Sequence, residues 1–325
     1  MAHKSYAVDL IDNASYILLV SSPPDDLVTE VPALCTPLST YQSLLNLISQ
    51  NTSVPHTLPL YYSDTLDIIP ADYLILSCPI GTPLSDLRRA GSLSERQNAL
   101  IDLQIGRWMR EIHDRVQNDW FGLPKAQPTP PAVPSFSIPG LFAQNGEEEP
   151  SYSWQETFTT LLEELMHCAE SMVPDVPFED LRRYLGRAIG SFLFDDCEVP
   201  SLVSFLGDEG SVFLELSGDS AEPKITSLLP PTYALYGDPL LETFFLTGHD
   251  GSAAPSQALL EGYGGNPIVF RRQQTKRVWY DVFLCLSVLV ACGKEPDSAE
   301  QQTRVQWSQK RLKECVDVLK DAPCY

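Results

Sequence analysis

Basic residues are scarce in this sequence. Its 325 residues include 22 lysines and arginines against 43 aspartates and glutamates, which gives a formal net charge of −21 at pH 7. A nucleic-acid partner requires a basic surface that neutralises phosphates, and an anionic membrane surface attracts basic segments for the same reason. The composition therefore argues against nucleic acid and against a membrane as partners.

Long apolar segments and paired cysteines are also missing. The longest apolar run, residues 282–292, is far too short to span a bilayer, and the first 20 residues lack the apolar core of a signal peptide. None of the eight cysteines forms a Cys-x-x-Cys pair, so we expect reduced thiols in a cytoplasmic protein. The adjacent His167 and Cys168 do not make a metal site by themselves, and we expect neither a metal nor another cofactor.

The signatures of several common catalytic sites are absent as well. The sequence has no P-loop, no Gly-x-Gly-x-x-Gly motif and no Gly-x-Ser-x-Gly motif. His249 and Asp250 lie in a polar segment that is typical of a surface turn, and residues 262–265 (GYGG) also predict a turn. His113 lies near the end of a predicted helix, where a histidine is favoured by the helix dipole.

What the sequence does contain is a set of strands with one helix, followed by a region that is mostly helical. Alternating and helical apolar periodicities define these elements, and Ser92 with Glu95 and Ser153 with Glu156 predict two capping boxes. Residues 201–216 (SLVSFLGDEGSVFLEL) predict two short strands around a loop, which we expect to form a small hairpin. A further hairpin is predicted over residues 5–20, strands over 73–78 and 224–229, and helices over about 38–50, 154–172, 178–194, 275–292 and 298–320. Another helix is predicted to follow the Ser92 cap and to end at about His113.

A proline-rich segment interrupts the helical region. Residues 125–150 are dense in proline, end in an acidic run and show no periodicity. Such a composition cannot bury enough apolar area to offset the entropy of ordering, so the segment is predicted to be an exposed loop.

Three motifs in order give the chain a resemblance to a known family. They are YLILSCPIGTPLSDLR (Tyr73–Arg88), IGRWMREIHDRVQNDWFGLP (Ile105–Pro124) and ALYGDPLLE (Ala234–Glu242). The chain thereby resembles the aminoglycoside phosphotransferase (choline kinase-like) family, and most of all a branch of filamentous fungi in which the chemical motifs are eroded. The resemblance implies an α+β, two-lobed protein kinase-like fold, with a small β-rich N-lobe over residues 1–80 and a helical C-lobe over residues 81–325.

The catalytic loop of that family is eroded here. It reads His-Gly-Asp-x-x-x-x-Asn, in which the Asp positions the substrate hydroxyl and the Asn holds Mg²⁺. Aligning the flanking strands places Ser204, Phe205, Leu206 and Ser211 at the His, Gly, Asp and Asn positions. A shifted register that recruits Asp208 still puts apolar residues at the His and Asn positions.

Two further positions that the resemblance implies for ATP and metal are also changed. Pro230 stands at the second metal-binding Asp, with Pro231 beside it, and Leu19 stands at the lysine that holds ATP. The glutamate that would pair with this lysine has no counterpart, because residues 31–50 contain no carboxylate. We therefore expect no phosphotransferase activity.

The replacements share an apolar or rigid character, which suggests an apolar cleft between the lobes. Such a cleft suits a hydrophobic small molecule. In the alternative interpretation the cleft has collapsed and these residues belong to the core. Asp238 also has an alternative explanation, because an Asp before a proline often caps a helix or forms a turn. The predicted pocket consists of Leu19, Phe205, Leu206, Pro230 and Pro231, with Tyr233, Tyr236 and Asp238 at its rim.

Two function classes follow from these observations. In the first, the protein binds an apolar small molecule and acts as a metal-free cyclase, of the Diels–Alder or another pericyclic type, or as an isomerase in fungal specialised-metabolite biosynthesis. In the second, it is a non-catalytic pseudokinase that serves as a scaffold or regulatory protein and binds a protein partner. An active small-molecule kinase is the least supported alternative.

Overall fold

The computed structural model describes most of the chain. The described residues are 3–11, 14–21, 34–65, 67–125, 150–205, 209–216, 222–228, 233–245, 255–293 and 298–323. Several sequence predictions therefore lie outside the described residues: Leu206, Asp208, Pro230, Pro231, His249, Asp250 and residues 126–149 of the predicted proline-rich loop.

An antiparallel sheet and one helix form the N-terminal lobe. The elements are β1 (His3–Asp9), β2 (Ser15–Ser21), α1 (Leu38–Asn51), β3 (Pro59–Ser63) and β4 (Tyr73–Ser77), and the strand order is β1-β2-β4-β3. Strands β1 and β2 pair from His3 with Ser21 to Asp9 with Ser15, which confirms the predicted hairpin. Helix α1 covers one face of the sheet.

The second lobe is mainly helical, as predicted. Its helices are α2 (Leu84–Arg89), α3 (Glu95–Arg115), α4 (Trp154–Glu170), α5 (Phe178–Gly190), α6 (Gln257–Tyr263), α7 (Arg271–Cys292) and α8 (Ala299–Lys320). Helix α7 is buried on nearly all sides in its C-terminal two thirds, because its sequence there is apolar around the whole circumference. The largest core cluster forms around it, with α4, α5 and α8. The whole arrangement is the expected two-lobed α+β fold.

The predicted helix starts are correct in one case and shifted in the other. Helix α4 begins after Ser153, whose hydroxyl accepts the backbone N–H of Glu156. Helix α3 begins after Ser94 instead of Ser92, because Ser94 and Gln97 form a reciprocal capping box. Ser92 and Ser94 are each followed three residues later by a Glu or a Gln. Ser94, which lies nearer to the apolar residues of the helix, is the one that caps it.

Short strands carry the predicted catalytic segment, but they do not form the expected hairpin. Strands β5 (Thr82–Pro83), β7 (Val212–Glu215) and β8 (Lys224–Leu228) make one sheet, and β6 (Ser201–Ser204) pairs with β9 (Ala234–Gly237) in another. Each of β6 and β7 therefore has a different partner. The buried β6 pairs with the equally buried β9, so β6 and β7 belong to different sheets although they are close in sequence.

Among the helices within the described residues, none is long and apolar enough to cross a membrane.

Candidate functional site

Ser204, the first residue aligned with the catalytic loop, lies at the end of β6 and lines a small cavity together with residues of α1 and α3. A bridge between His56 and Leu228 joins the segment after α1 to the end of β8. Glu111 of α3 makes a second connection, because its carboxylate accepts hydrogen bonds from the backbone N–H (2.9 Å) and the hydroxyl (2.8 Å) of Ser53. These two contacts connect the N-terminal lobe to the C-lobe.

Leu19 occupies the centre of the N-lobe core. It is 7% exposed and belongs to one apolar cluster with Leu38, Tyr41 and Leu45 of α1 and Leu74 of β4. Its side chain therefore points to the face of the sheet that α1 covers. Helix α1 contains no charged residue, so no ion pair between strand and helix can form at this position.

Phe205 is a core residue. It is fully buried, and its ring packs edge-on against Tyr233 (5.9 Å between centroids) and Phe283 of α7 (5.5 Å). Its backbone N–H donates to the carbonyl oxygen of Tyr233 at 3.1 Å. A phenylalanine thus fills the space above α7 at the position where the resemblance implies glycine.

The two rim tyrosines occupy different surroundings. Tyr233 is half-buried beside Phe205, and burial raises the pKa of its hydroxyl, with Cys35 and Cys292 adding to this effect. Tyr236 of β9 is 6% exposed and packs edge-on against Trp120 at 5.9 Å. Burial raises the pKa of Tyr236 as well. The structure brings Tyr233 to Phe205 and places Tyr236 in a separate apolar cluster.

Asp238 is buried, which corrects its expected position at the rim of a cleft. Its Oδ2 lies 2.6 Å from Lys276 Nζ and accepts a hydrogen bond from the Tyr280 hydroxyl at 2.8 Å. Its Oδ1 accepts the N–H of Leu240 at 2.9 Å, so the carboxylate also caps the short turn after the proline, as the alternative interpretation predicted. A rim position would leave Lys276 without this buried counter-ion.

Lys276 connects two carboxylates inside the C-lobe. Its Nζ also lies 2.5 Å from Asp196 Oδ1, and the ammonium group is almost completely buried. Burial alone would lower the pKa of Lys276, but Asp238 and Asp196 outweigh this effect and raise it. Lys276 therefore keeps its charge inside the core, and its ion pair with Asp238 fixes the turn after β9 to α7.

A buried carboxylate that the sequence analysis did not single out holds the start of the catalytic-loop segment. Glu242 is 4% exposed, and its Oε2 accepts the backbone N–H of Ser204 at 3.1 Å. The same oxygen lies 3.4 Å from His113 Nε2, while His113 Nδ1 lies 2.9 Å from the Tyr263 hydroxyl. His113 is therefore a buried hydrogen-bonding residue, and its explanation as a helix-end histidine was incomplete.

A small apolar cavity lies between α1, α3 and the ribbon of β6 and β9. Its volume is about 20 Å³, which is roughly the space that one water molecule needs. Its apolar lining comes mainly from α1, α3, β6 and β9, with Leu44, Ile48, Ile112, Leu202 and Ala234. The described residues of the predicted pocket do not line it: Leu19, Phe205, Tyr233, Tyr236 and Asp238.

One polar atom at this cavity has no hydrogen-bond partner in the part of the chain that the structure describes. His56 lines the cavity, and its Nδ1 lies 2.9 Å from the carbonyl oxygen of Val54, but its buried Nε2 has no hydrogen-bond partner among the described residues. A buried polar atom of this kind is normally satisfied by water. The volume and this atom together fit a single internal water more closely than an organic guest.

Comparison with other proteins gives a fold but no close relative. No protein-family model matches the chain, and no curated protein matches it in sequence. By structure, it is similar to a thermostable mutant of aminoglycoside phosphotransferase APH(4)-Ia in a ternary complex with AMP-PNP and hygromycin B, with a TM-score of 0.59 at 16% identity over 97% of this chain and 90% of that chain.

Two other solved structures show the same similarity. A Ralstonia eutropha protein assigned as an aminoglycoside phosphotransferase has a TM-score of 0.58 at 10% identity, over 99% of this chain and 93% of that chain. A Thermobifida fusca protein assigned as a fructosamine-3-kinase has a TM-score of 0.55 at 13% identity, over 96% of this chain and 91% of that chain. The chain has the aminoglycoside phosphotransferase fold.

Within the aminoglycoside phosphotransferase fold, phosphoryl transfer depends on a lysine, a catalytic aspartate and metal ligands that are held in place. The aligned positions that the structure describes carry Leu19, Ser204, Phe205 and Ser211. Leu19 and Phe205 are buried in apolar clusters, and only the two serines carry polar side chains. At the positions aligned from the resemblance, the described part of the site therefore carries two buried apolar side chains and two serines.

Sequence reasoning missed the residues that hold the start of the catalytic-loop segment. Glu242 was part of the ALYGDPLLE motif, yet only its neighbour Asp238 was considered. A signal was present, because a carboxylate surrounded by Leu240, Leu241 and Phe244 in sequence is expected to be buried with a partner. The partners themselves, His113 and Ser204, lie 129 and 38 residues away and could not be identified from local patterns.

Proposed function

We propose that this protein is a phosphotransferase-fold protein that no longer transfers phosphate and functions as a non-catalytic, pseudokinase-like binding protein. The observation that carries the proposal is the position of Leu19. The resemblance implies an ATP-holding lysine there, and the N-lobe instead buries a leucine against a helix without any charge. A nucleotide phosphate would face an apolar surface at this point.

The chemistry of phosphoryl transfer supports the same conclusion. The transferred phosphoryl group requires metal ions and charged side chains, because catalysis is almost entirely positioning and electrostatic stabilisation. The described residues at the aligned positions supply two serine hydroxyls and no carboxylate. Glu242 instead accepts a hydrogen bond from the backbone N–H of Ser204, and Asp238 forms an ion pair with Lys276. These charged groups therefore stabilise the C-lobe.

A second candidate function is the binding of an apolar small molecule, with a metal-free cyclisation as its possible chemistry. The observation that supports it is the apolar lining of the cavity between α1, α3 and β6, although the cavity as it stands has room for one water molecule only. A guest larger than water would require α1 to move away from β6. An Ala234→Val variant would fill this cavity, so it would abolish uptake of a fluorescent apolar probe if the guest binds there and would change nothing if the cavity holds water alone.

Nucleotide binding is the direct test of the proposed function. Differential scanning fluorimetry with millimolar Mg²⁺-ATP should shift the Tm by less than about 1 °C, since stabilisation by a ligand follows the ratio of its concentration to Kd. The matched control is Mg²⁺ alone, which separates a metal effect from nucleotide binding. A saturable shift of several degrees that disappears with EDTA, or phosphate transfer to any small alcohol or amine, would overturn the proposal.

A further inference from the structure

The outer face of the N-lobe sheet carries an apolar row that crosses all four strands. Tyr6 of β1 lies opposite Leu18 of β2, Leu18 lies opposite Ile75 of β4, and Ile75 lies opposite Tyr61 of β3. Residues directly opposite one another in antiparallel strands point to the same face. Since Leu19 and Leu74 point to α1, this row, Tyr6–Leu18–Ile75–Tyr61, points away from α1. We call it the outer row.

The outer row is accessible. Tyr6 is 48% exposed and Tyr61 is 53% exposed, with Leu18 and Ile75 half-buried between them. Of the sixteen exposed large apolar side chains among the described residues, eight lie within residues 1–80, a quarter of the chain. Two of these eight, Tyr6 and Tyr61, belong to the outer row, which is contiguous across the four strands. A contiguous exposed apolar patch marks an interaction site, and tyrosine is enriched at protein interfaces.

The same lobe has a strongly one-sided charge. Lys4 is the only lysine or arginine in residues 1–80, against eight aspartates and glutamates. Asp9, Asp64 and Asp67 are exposed at the turns that flank the sheet. A second copy of this chain would bring two such acidic lobes together, which like-charge repulsion opposes. The charge is complementary to a partner that carries lysines and arginines.

We propose that the outer row is a docking surface for a basic amphipathic α-helix of a partner protein. The proposal rests on the proposed function, because it names the kind of partner that the non-catalytic protein binds. An apolar sheet face is covered in proteins by a helix or by another sheet. Three strand spacings extend over about 15 Å, which corresponds to roughly ten helical residues. The apolar stripe of the helix covers the outer row, and its basic flanks lie near the acidic turns.

The test measures binding of a synthetic helix to the full chain. The probe is a fluorescent Leu/Lys peptide of about 14 residues with leucine at i, i+3, i+4 and i+7, and its control is a peptide of the same composition without an apolar stripe. Fluorescence anisotropy at physiological salt gives Kd for the wild type, for Tyr6→Ser/Tyr61→Ser and for the matched surface variant Tyr152→Ser. Tyr152 is 73% exposed and lies in the C-lobe.

The double substitution should weaken binding of the striped peptide by at least about tenfold, whereas Tyr152→Ser should leave Kd unchanged. The control peptide should bind all three proteins weakly and equally. Single Tyr61→Ser, checked by circular dichroism, gives the same comparison if the double variant is less stable. An equal Kd for all variants would overturn the proposal, as would a wild-type dimer in sedimentation experiments that the double substitution dissociates. Tm shifts with Mg²⁺-ATP in the same samples would contradict the proposed function and leave the peptide result intact.

Discussion

Glu242 accepts the backbone N–H of Ser204 at 3.1 Å, and the neighbouring Thr243 hydroxyl donates to the carbonyl oxygen of Ser204 at 3.2 Å. Both backbone groups of Ser204 are therefore held by one short segment after β9. Ser204 stands at the first position of the aligned catalytic loop. The segment after β9 therefore fixes the backbone at the point where the aligned catalytic loop begins.

We predict that Glu242→Ala lowers the free energy of unfolding by about 2 kcal/mol, because the partly buried N–H groups of Ser204 and Thr243 both lose the carboxylate that accepts their hydrogen bonds. Glu242→Gln should lower it less, since the amide retains one carbonyl oxygen. Urea unfolding followed by circular dichroism measures both values. The exposed Glu215 provides the control, and Glu215→Ala should change stability by less than about 0.5 kcal/mol. A similarly small effect at Glu242 would show that the contact to Ser204 has little structural importance.

The ion pair between Lys276 and Asp238 gives a second prediction. Lys276→Met leaves Asp238 buried without its counter-ion, and breaking such a pair typically lowers stability by about 3–5 kcal/mol. Adding Asp238→Asn to this variant should recover part of the loss, because it removes the unpaired charge. The exposed pair of Arg110 and Asp114, whose side chains are 53% and 50% exposed, is the control. Asp114→Asn should cost less than about 0.5 kcal/mol, and equal costs at both pairs would contradict the prediction.

Local sequence patterns were sufficient to predict most helices and strands, but not which strands pair with one another. The apolar periodicity of residues 38–50 predicted α1, and the first hairpin followed from its alternating residues and turn. The pairing of β6 with β9 depends on contacts over some 30 residues, and a local sequence favours the simpler hairpin between β6 and β7. Leu19 and Phe205 illustrate the same limit at the site. Their apolar character was evident, but whether they line an open cleft or fill a core is decided by α1 and α7.

Glu111 makes the stability of the junction between the lobes dependent on pH. Burial alone would raise the pKa of Glu111, but the hydrogen bonds from Ser53 and the nearby Arg115 and Arg107 lower it. A carboxyl whose pKa is lower in the folded state contributes stability above its unfolded pKa, and this contribution is lost as the pH falls through the folded value. We therefore predict that the wild type is more stable than Glu111→Gln at about pH 6, and that the difference shrinks as the pH falls from about 4, the unfolded pKa of glutamate, through the lower folded value.

Urea unfolding at a series of pH values measures this difference. Ser53→Ala should reduce the pH-dependent part, because it removes one of the hydrogen bonds that lower the pKa of Glu111. A difference between wild type and Glu111→Gln that stays constant from neutral to acidic pH would show that the contact acts by packing and not by charge.

The last prediction restores the residue that the resemblance implies at position 19. Leu19→Lys places an ammonium group in the N-lobe core, where α1 offers no carboxylate. Burial of an unpaired charge should lower the free energy of unfolding by about 3 kcal/mol or more at neutral pH. The directly opposite residue, Ser5, is exposed on the edge strand, so Ser5→Lys adds the same charge as a control and should change stability by less than about 0.5 kcal/mol.

A buried lysine has a lowered pKa, and its penalty should therefore shrink as the pH approaches about 10, the pKa of lysine in the unfolded chain. The comparison is made between variant and wild type at each pH, because Lys276 also loses its charge at high pH. A Leu19→Lys variant that is as stable as Ser5→Lys and gains a Mg²⁺-ATP thermal shift would show that a nucleotide cleft is still present beneath the sheet.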